Sequence, residues 1–162
     1  MLHVGIIHKP RTTRGVTLLE ILIAISIVAI ISGLMLATFS EFRSRQTLGA
    51  VVEKTLAAFS AAHLDTISSK NDATYGIYLK STEVIYFQGT TYPGDNDPGN
   101  VHYGFPKVIQ TANINLNGGG STIFYKRLSG ATDNYGTFDV RIVGNPNTKT
   151  TITINQTGAT SI

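Results

Sequence analysis

The sequence contains no cysteine, and no proline between Pro10 and Pro93. The lack of thiols excludes a disulfide framework, a thiolate metal site and a cysteine nucleophile. The lack of proline leaves most of the first half of the chain without a residue that forces a helix to break. Charge is also missing from Ile21 to Ser40, a run dominated by Ile, Leu, Val and Ala. This run has the length of about 20 residues that a helix needs to cross the hydrocarbon core of a membrane.

Excess positive charge is confined to the N-terminus. The formal net charge of +3 equals the contribution of Lys9, Arg11 and Arg14, because the other basic and acidic residues are equal in number. Residues 16–162 therefore have no net field that would attract a polyanion. The length of 162 residues fits one ordinary domain with an appendage.

The apolar run has two ordinary explanations, a secretory signal peptide and a signal anchor. A secretory signal peptide has a hydrophobic region of about 7 to 15 residues followed by a small-residue cleavage site, and this run is longer and lacks such a site. An ordinary signal anchor fits better, because basic residues before an apolar run hold the N-terminus in the cytoplasm. Arg43 and Arg45 on the far side of the run weaken that charge asymmetry.

Glu20 is the residue that a simple anchor does not explain, since it lies inside the start of the apolar segment. A carboxylate at membrane depth is costly and usually has a partner. Taken alone, Glu20 is explained most simply as an acid at the membrane interface, where the positive end of a helix dipole favours negative charge.

The surrounding residues change this interpretation. The segment from Arg14 to Glu20 (Arg-Gly-Val-Thr-Leu-Leu-Glu) resembles the processing site of type IV prepilins and type II secretion pseudopilins. The resemblance extends in detail over residues 11–42. It implies that a prepilin peptidase cuts after Gly15, that Val16 becomes the new N-terminus and a site of possible N-methylation, and that Glu20 sets the register of assembly by pairing with the N-terminal amine of a neighbouring subunit. Most members of the family have Phe where this sequence has Val16.

A second helical pattern follows the apolar run. Apolar residues recur at spacings of three and four, which is typical of one face of an α-helix; they are Leu48, Val52, Leu56, Phe59 and Ile67. With no proline to interrupt it, we predict a continuous helix from about Val16 to Ser68, on the order of 80 Å long.

From Asn71 onward short alternating segments replace the helical pattern. We predict strands at Tyr75–Leu79, Glu83–Phe87, Thr122–Tyr125, Thr137–Val143 and Thr151–Ile154. Turn residues separate them at Pro93–Gly99, Asn117–Gly120 and Gly144–Asn147. The predicted fold class is α+β: a long N-terminal helix, its first half transmembrane, with a C-terminal antiparallel β-rich globular head.

The predicted organisation has four parts. Residues 1–15 form a cleaved basic leader, residues 16–40 a transmembrane and filament helix, residues 41–70 an amphipathic helix that continues into the head, and residues 71–162 the β-rich head. A long helix followed by a strand-rich head resembles the minor pseudopilins of type II secretion, particularly the H type, and related minor pilins are similar. Because cysteine is absent, the disulfide-closed loop of many major type IV pilins cannot form, which favours a minor pilin or pseudopilin.

The head has few candidates for chemistry. His63 and His102 have no partner at metal-ligand spacing and are predicted to face solvent. Asp95, Asn96 and Asp97 supply fewer oxygens than the six to eight of a calcium site, so turn formation is the simpler explanation. The seven tyrosines are expected to pack on strands, because the head has only Lys126–Arg127 as an adjacent basic pair. No catalytic residue, cofactor or metal is expected.

The resemblance therefore implies a structural subunit of a type II secretion pseudopilus or of a type IV pilus-like filament, and not an enzyme. The implied partners are prepilin peptidase, other pilin or pseudopilin subunits, an inner-membrane assembly platform and membrane lipid, with no nucleic acid. The implied location is a single pass through the cytoplasmic (inner) membrane, with the leader in the cytoplasm and the head exoplasmic, followed by an envelope filament. Two alternatives stay open: a competence-type DNA-binding minor pilin, and a signal-anchored ligand-binding protein that does not polymerise.

Overall fold

The computed structural model describes residues 15–162, so nearly all of the predicted leader lies outside the described residues. The chain divides into two compact units, one ending at Ser40 and the other comprising Glu41–Ile162. The second is called the C-terminal unit below.

Helix α1 spans Leu18–Ile67. The prediction of a helix from about Val16 to Ser68 is therefore confirmed, with its start two residues later. The helix ends where the backbone turns left-handed, because Ser69 has a φ of 50° and Asn71 a φ of 52°. This conformation is a common terminator of helices.

The face that α1 buries in the C-terminal unit differs in detail from the predicted stripe. Leu48, Val52 and Phe59 are buried as predicted, whereas Leu56 is only half-buried. The prediction for Ile67 is wrong, because this side chain is 37% exposed at the end of the helix.

Threonine takes part in this buried face instead. Thr55 and Thr66 are both fully buried. Their hydroxyls donate to the helix carbonyls of Val51 and Ala62, each at 2.8 Å. Burial of these hydroxyls costs little because each has a hydrogen-bond acceptor within its own helix.

Eight strands form two antiparallel sheets of four strands each. Sheet A has the order β3-β2-β1-β5 and sheet B the order β4-β6-β7-β8. The strands are β1 (Tyr75–Leu79), β2 (Glu83–Gln88), β3 (Val101–Gly104), β4 (Ile109–Leu116), β5 (Thr122–Phe124), β6 (Gly136–Ile142), β7 (Asn145–Ile154) and β8 (Thr160–Ser161).

The predicted strands correspond to β1, β2, β5, β6 and the second half of β7, while β3, β4 and β8 were not predicted. The turn predicted at Gly144–Asn147 is wrong beyond its first residue, because β7 already begins at Asn145. Pro146 lies in this strand at an irregularity of the β6–β7 ladder, where Ile142 pairs with Asn145 and Arg141 pairs with Lys149. Such a bulge tolerates a residue that lacks a backbone donor.

The main core lies where α1 meets both sheets within the C-terminal unit. Phe59 of α1 stacks on Phe138 of β6, with 5.7 Å between ring centroids. Thr66 accepts a hydrogen bond of 2.9 Å from the backbone N–H of Tyr75, which connects α1 to β1. Phe138, Val140 and Ile142 alternate along β6 and are all buried.

A second apolar cluster covers the other face of sheet A. Ile85 and Phe87 of β2 are fully buried although they lie outside the main core. Because neighbouring side chains of a strand point to opposite faces, these two lie on the face of sheet A that is turned away from the main core. The loop between β2 and β3 supplies Tyr92, which stacks on Tyr78 at 4.1 Å and meets the edge of Phe87 at 5.5 Å. Gly76 makes room for Phe87, because a Cβ at Gly76 would lie 2.6 Å from the ring.

The outer edge of sheet A is formed by β3, most of which is exposed. The ammonium group of Lys54 in α1 donates to the carbonyl oxygen of Gly104 at 3.4 Å. The same ammonium group lies 5.8 Å from the centroid of the Tyr103 ring. A charged side chain therefore lies beside this edge strand.

Sheet B carries an unexpected buried carboxylate at Asp139, which alternation along β6 predicted to be on the solvent side. It is only 4% exposed. It accepts hydrogen bonds from Lys149 and Asn113 at 2.7 Å each and from Thr151 at 2.6 Å. Burial alone raises the pKa of Asp139, but these three donors outweigh burial and lower it below the usual value.

Replacement of Gly76 by alanine should destabilise the C-terminal unit by about 1 to 3 kcal/mol, because the new methyl group overpacks Phe87 and the Ile123 carbonyl. Gly104→Ala is the matched control in the same sheet, because nothing lies within 4 Å of its Cβ position. Urea denaturation of a fragment of residues 41–162 measures both. Equal stability of the two variants would contradict the described packing.

Replacement of Asp139 by asparagine should lower the free energy of unfolding at pH 7 by about 1 to 3 kcal/mol, because its three hydrogen-bond donors lose an ionised acceptor. Since the pKa of Asp139 is lowered on folding, its stabilisation is present above about pH 4 and is lost as the pH falls through the folded pKa. The difference between wild type and variant should therefore shrink in acid. Asp133→Asn, at an exposed ion pair with Lys126, should change stability by less than about 1 kcal/mol. Similar losses of unfolding free energy in both variants would contradict the larger contribution expected of Asp139.

Candidate processing and assembly site

The start of α1 is defined by a threonine. Gly15, Val16 and Thr17 precede the helix without regular secondary structure. The Thr17 hydroxyl accepts a hydrogen bond from the backbone N–H of Glu20 at 3.2 Å, and its carbonyl accepts one from Ile21 at 3.2 Å. A side chain that accepts from the third helical residue while its own carbonyl opens the helical ladder is an N-cap.

No role was predicted for Thr17, although the sequence around it contains a helix-capping pattern. Threonine followed three residues later by glutamate, just before an apolar run, is the pattern of a capping box. The structure contains the half of that motif in which the Thr17 side chain accepts from the Glu20 backbone.

The peptide bond between Gly15 and Val16 lies in open surroundings. Apart from its chain neighbours, no atom of residues 15–162 lies within 4 Å of the position that a Cβ on Gly15 would take. The Val16 side chain is 66% exposed. Packing within the described residues therefore does not require glycine at position 15, and both sides of this bond are accessible to another molecule.

Glu20 lies in the first turn of α1 and is exposed. Among residues 15–162 no basic side chain lies within ion-pair distance of it. The positive end of the helix dipole favours a carboxylate at this position. A cation that pairs with Glu20 would have to come from outside the described residues.

The apolar helix segment after Glu20 is uncovered. Its large side chains from Ile21 to Met35 are between 47% and 70% exposed. Of the described residues, only α1 is long and apolar enough to cross a membrane. The hydroxyl of Ser26 donates to the carbonyl of Leu22 at 2.7 Å, so its polar group is satisfied within the helix. An apolar surface of this extent requires lipid or other apolar helices to cover it.

The prediction that His63 faces solvent is wrong. Its ring contacts the edge of Tyr125 at 5.1 Å between centroids, and its Nε2 atom is buried. Gly130 and Gly158 allow this position, because a Cβ at either would lie within 3 Å of the His63 ring. His102 is exposed as predicted, with its Nδ1 atom 3.0 Å from a carboxylate oxygen of Glu83.

The loop that was considered for calcium has internal partners. Asp95 accepts hydrogen bonds of 2.5 Å each from the Lys80 ammonium group and the Tyr92 hydroxyl, and Asp97 accepts one of 2.8 Å from the backbone of Gly99. The hydrogen bonds from Lys80 and Tyr92 lower the pKa of Asp95, while burial and the hydrogen bond to Asp95 raise the pKa of Tyr92 to about 12. Within residues 15–162 no three His, Asp or Glu side chains are grouped to hold a metal ion.

Two further tyrosines belong to the core of the C-terminal unit. Tyr75 and Tyr86 stack at 5.3 Å between ring centroids. The adjacent basic residues of the head are paired with acids: Lys126 contacts Asp133 at 2.7 Å, and Arg127 contacts Asp72.

Comparisons with known proteins agree with the geometry at the N-terminus and with the fold. Residues 10–36 match the family described as the prokaryotic N-terminal methylation motif. Two crystal structures of the type IV minor pilin FimU from Pseudomonas aeruginosa resemble the chain, with TM-scores of 0.52 and 0.57 and sequence identities of 13% and 16%. The alignments cover 70% and 75% of this chain and 90% and 91% of the FimU chains. No curated protein sequence matches the chain.

The motif and the fold come from independent comparisons, one of the N-terminal sequence and one of the coordinates. The chain therefore combines a prokaryotic N-terminal methylation motif with an α+β fold of one long helix and two antiparallel sheets, and this fold is similar to that of a type IV minor pilin.

Proposed function

We propose that the chain is a minor pilin or minor pseudopilin, a structural subunit without catalytic activity that is processed after Gly15 and then packs into an envelope filament. The observation that supports this most strongly is the combination at the start of α1. An accessible Gly15–Val16 bond lies directly before a capped helix whose first turn carries Glu20 and whose next turns are apolar and uncovered.

Processing and assembly are linked through the new N-terminus. Cleavage after Gly15 creates an amino group on Val16, which is also the atom that methylation would modify. This amine is a cation four residues before Glu20 in the sequence, and Glu20 has no basic partner among the described residues. Pairing of Glu20 with the amine of a neighbouring subunit supplies the partner that a carboxylate in an apolar environment needs.

The same apolar helix is used first for insertion into the membrane and then for assembly. Before assembly, residues 16–40 cross the cytoplasmic membrane once, with the basic leader on the cytoplasmic side and the head outside. During assembly the same side chains leave lipid and pack among neighbouring helices, so one apolar environment replaces another. The net gain is therefore small, and Glu20 contributes register more than stability.

The assignment to a minor subunit rests on likeness of fold and on the absence of cysteine. FimU is a type IV minor pilin. Among the proteins of type II secretion, the long helix followed by a strand-rich head resembles the H-type minor pseudopilins. Contact with DNA is not part of the proposal, because Lys126 and Arg127 each face a carboxylate and residues 16–162 have balanced charge.

Expression of the full chain with an active prepilin peptidase should remove residues 1–15, and intact-mass measurement checks this directly. Gly15→Val should block the mass loss because a branched side chain obstructs the cut. Gly33→Val is the matched control, since both glycines have open surroundings in the structure. An unprocessed wild-type chain in the presence of the peptidase would refute the proposed processing and favour a signal anchor.

Replacement of Glu20 by alanine should leave membrane insertion intact and reduce incorporation into filaments by at least about tenfold. The reason is that the N-terminal amine of the neighbouring subunit loses its carboxylate in an apolar environment, where an unpaired charge costs about 2.5 to 3.5 kcal/mol. Carbonate extraction measures insertion, and immunoblotting of sheared filaments measures incorporation. Glu41→Ala is the control, because Glu41 lies beyond the apolar run and pairs with Arg45 at 2.8 Å. Equal incorporation of both variants would remove the register role of Glu20.

A further inference from the structure

The Thr17 cap determines which carbonyl oxygens the helix uses. The first carbonyl in the ladder is that of Thr17 itself, which accepts from Ile21. The carbonyl of Gly15, two residues earlier, lies outside the helix. This carbonyl belongs to the peptide bond that the proposed processing breaks.

Hydrolysis of that bond needs the Gly15 carbonyl group to be accessible. Water adds its oxygen to the Gly15 carbonyl carbon, the bond to the Val16 nitrogen breaks, and both protons of the water end on that nitrogen, which leaves a carboxylate on Gly15 and an ammonium group on Val16. An attacking water and a polarising donor must both reach the carbonyl. In a helix the carbonyl oxygen of residue i is occupied by the N–H of residue i+4.

Loss of the cap would let the helix grow toward the N-terminus. In an apolar environment the backbone satisfies its polar groups by forming helix, so an uncapped end tends to extend. The next residue able to cap is Gly15, since glycine is a fair N-cap and valine a poor one. With Gly15 as the N-cap, its own carbonyl becomes the first acceptor of the ladder, paired with the N–H of Leu19.

From this geometry we infer that Thr17 is a positioning residue for processing: its cap stops α1 at Leu18 and keeps the Gly15–Val16 peptide bond free for the peptidase. Thr17 does not touch the reacting atoms through its side chain, which is bonded to the Glu20 backbone. The inference rests on the proposed function, because it concerns the same cleavage.

The test is cleavage of the purified full-length precursor by purified prepilin peptidase in detergent, followed by intact mass over time. Thr17→Val has nearly the same shape without a capping oxygen and should be cleaved about fivefold more slowly. Thr17→Ser and Thr17→Asn keep the ability to cap and should be cleaved at close to the wild-type rate. Asparagine is the decisive variant, because it caps well but differs in shape from threonine.

A second measurement tests the backbone conformation of Gly15 and Val16. The carbon chemical shifts of Gly15 and Val16 in detergent micelles should be non-helical in wild type and Thr17→Asn, and should move toward helical values in Thr17→Val. Slow cleavage of Thr17→Asn, or slow cleavage of Thr17→Val with unchanged shifts at Gly15, would overturn the inference and indicate that the peptidase recognises the threonine side chain directly. Equal rates for all variants would also overturn it, while leaving the processing itself intact. No cleavage of wild type would instead refute the proposed processing.

Discussion

The constraint on which the N-terminal part depends is that, in an apolar environment, a backbone must satisfy its own hydrogen bonds. A helix does this for its interior but leaves its first N–H groups without partners. The proline-free sequence permits the helix, the Ser26 hydroxyl donates back to the Leu22 carbonyl, and Thr17 satisfies the N–H of Glu20. The start of the helix at Leu18 and the position of Gly15 and Val16 outside it are thus consequences of one requirement.

The C-terminal unit meets a different requirement, which is to bury both faces of a sheet in a small domain. Sheet A packs against α1 on one face through Tyr75 and is covered on the other by Tyr92 from the β2–β3 loop. Sheet B places its apolar side chains inward, and its Asp139 is enclosed by three donors from neighbouring strands. The β2–β3 loop therefore covers part of the face of sheet A that is turned away from α1.

The sequence predicted the fold class, the helix and the strands with clear alternation, because these depend on local periodicity. It did not predict β3 and β4: β3 is mostly exposed, and β4 contains a register shift between Ala112 and Asn115 that breaks the alternation. The half-buried position of His63 and the burial of Asp139 depend on distant residues, such as Gly158 and Lys149, which no local pattern connects. At the candidate processing site, Gly15 and Glu20 were predicted from a family resemblance, whereas the cap formed by Thr17 became evident only from its hydrogen bond.

Lys54 lies beside the exposed edge strand β3, where it affects pairing with other molecules. Exposed edge strands can join to those of other molecules, and proteins often prevent this with a charged side chain at the edge. In the proposed filament, neighbouring heads would be held close together, and proximity would favour pairing between their exposed strand edges. Lys54 donates to the Gly104 carbonyl from the subunit's own helix. It therefore disfavours pairing of one β3 edge with another and leaves contacts between heads to side-chain surfaces.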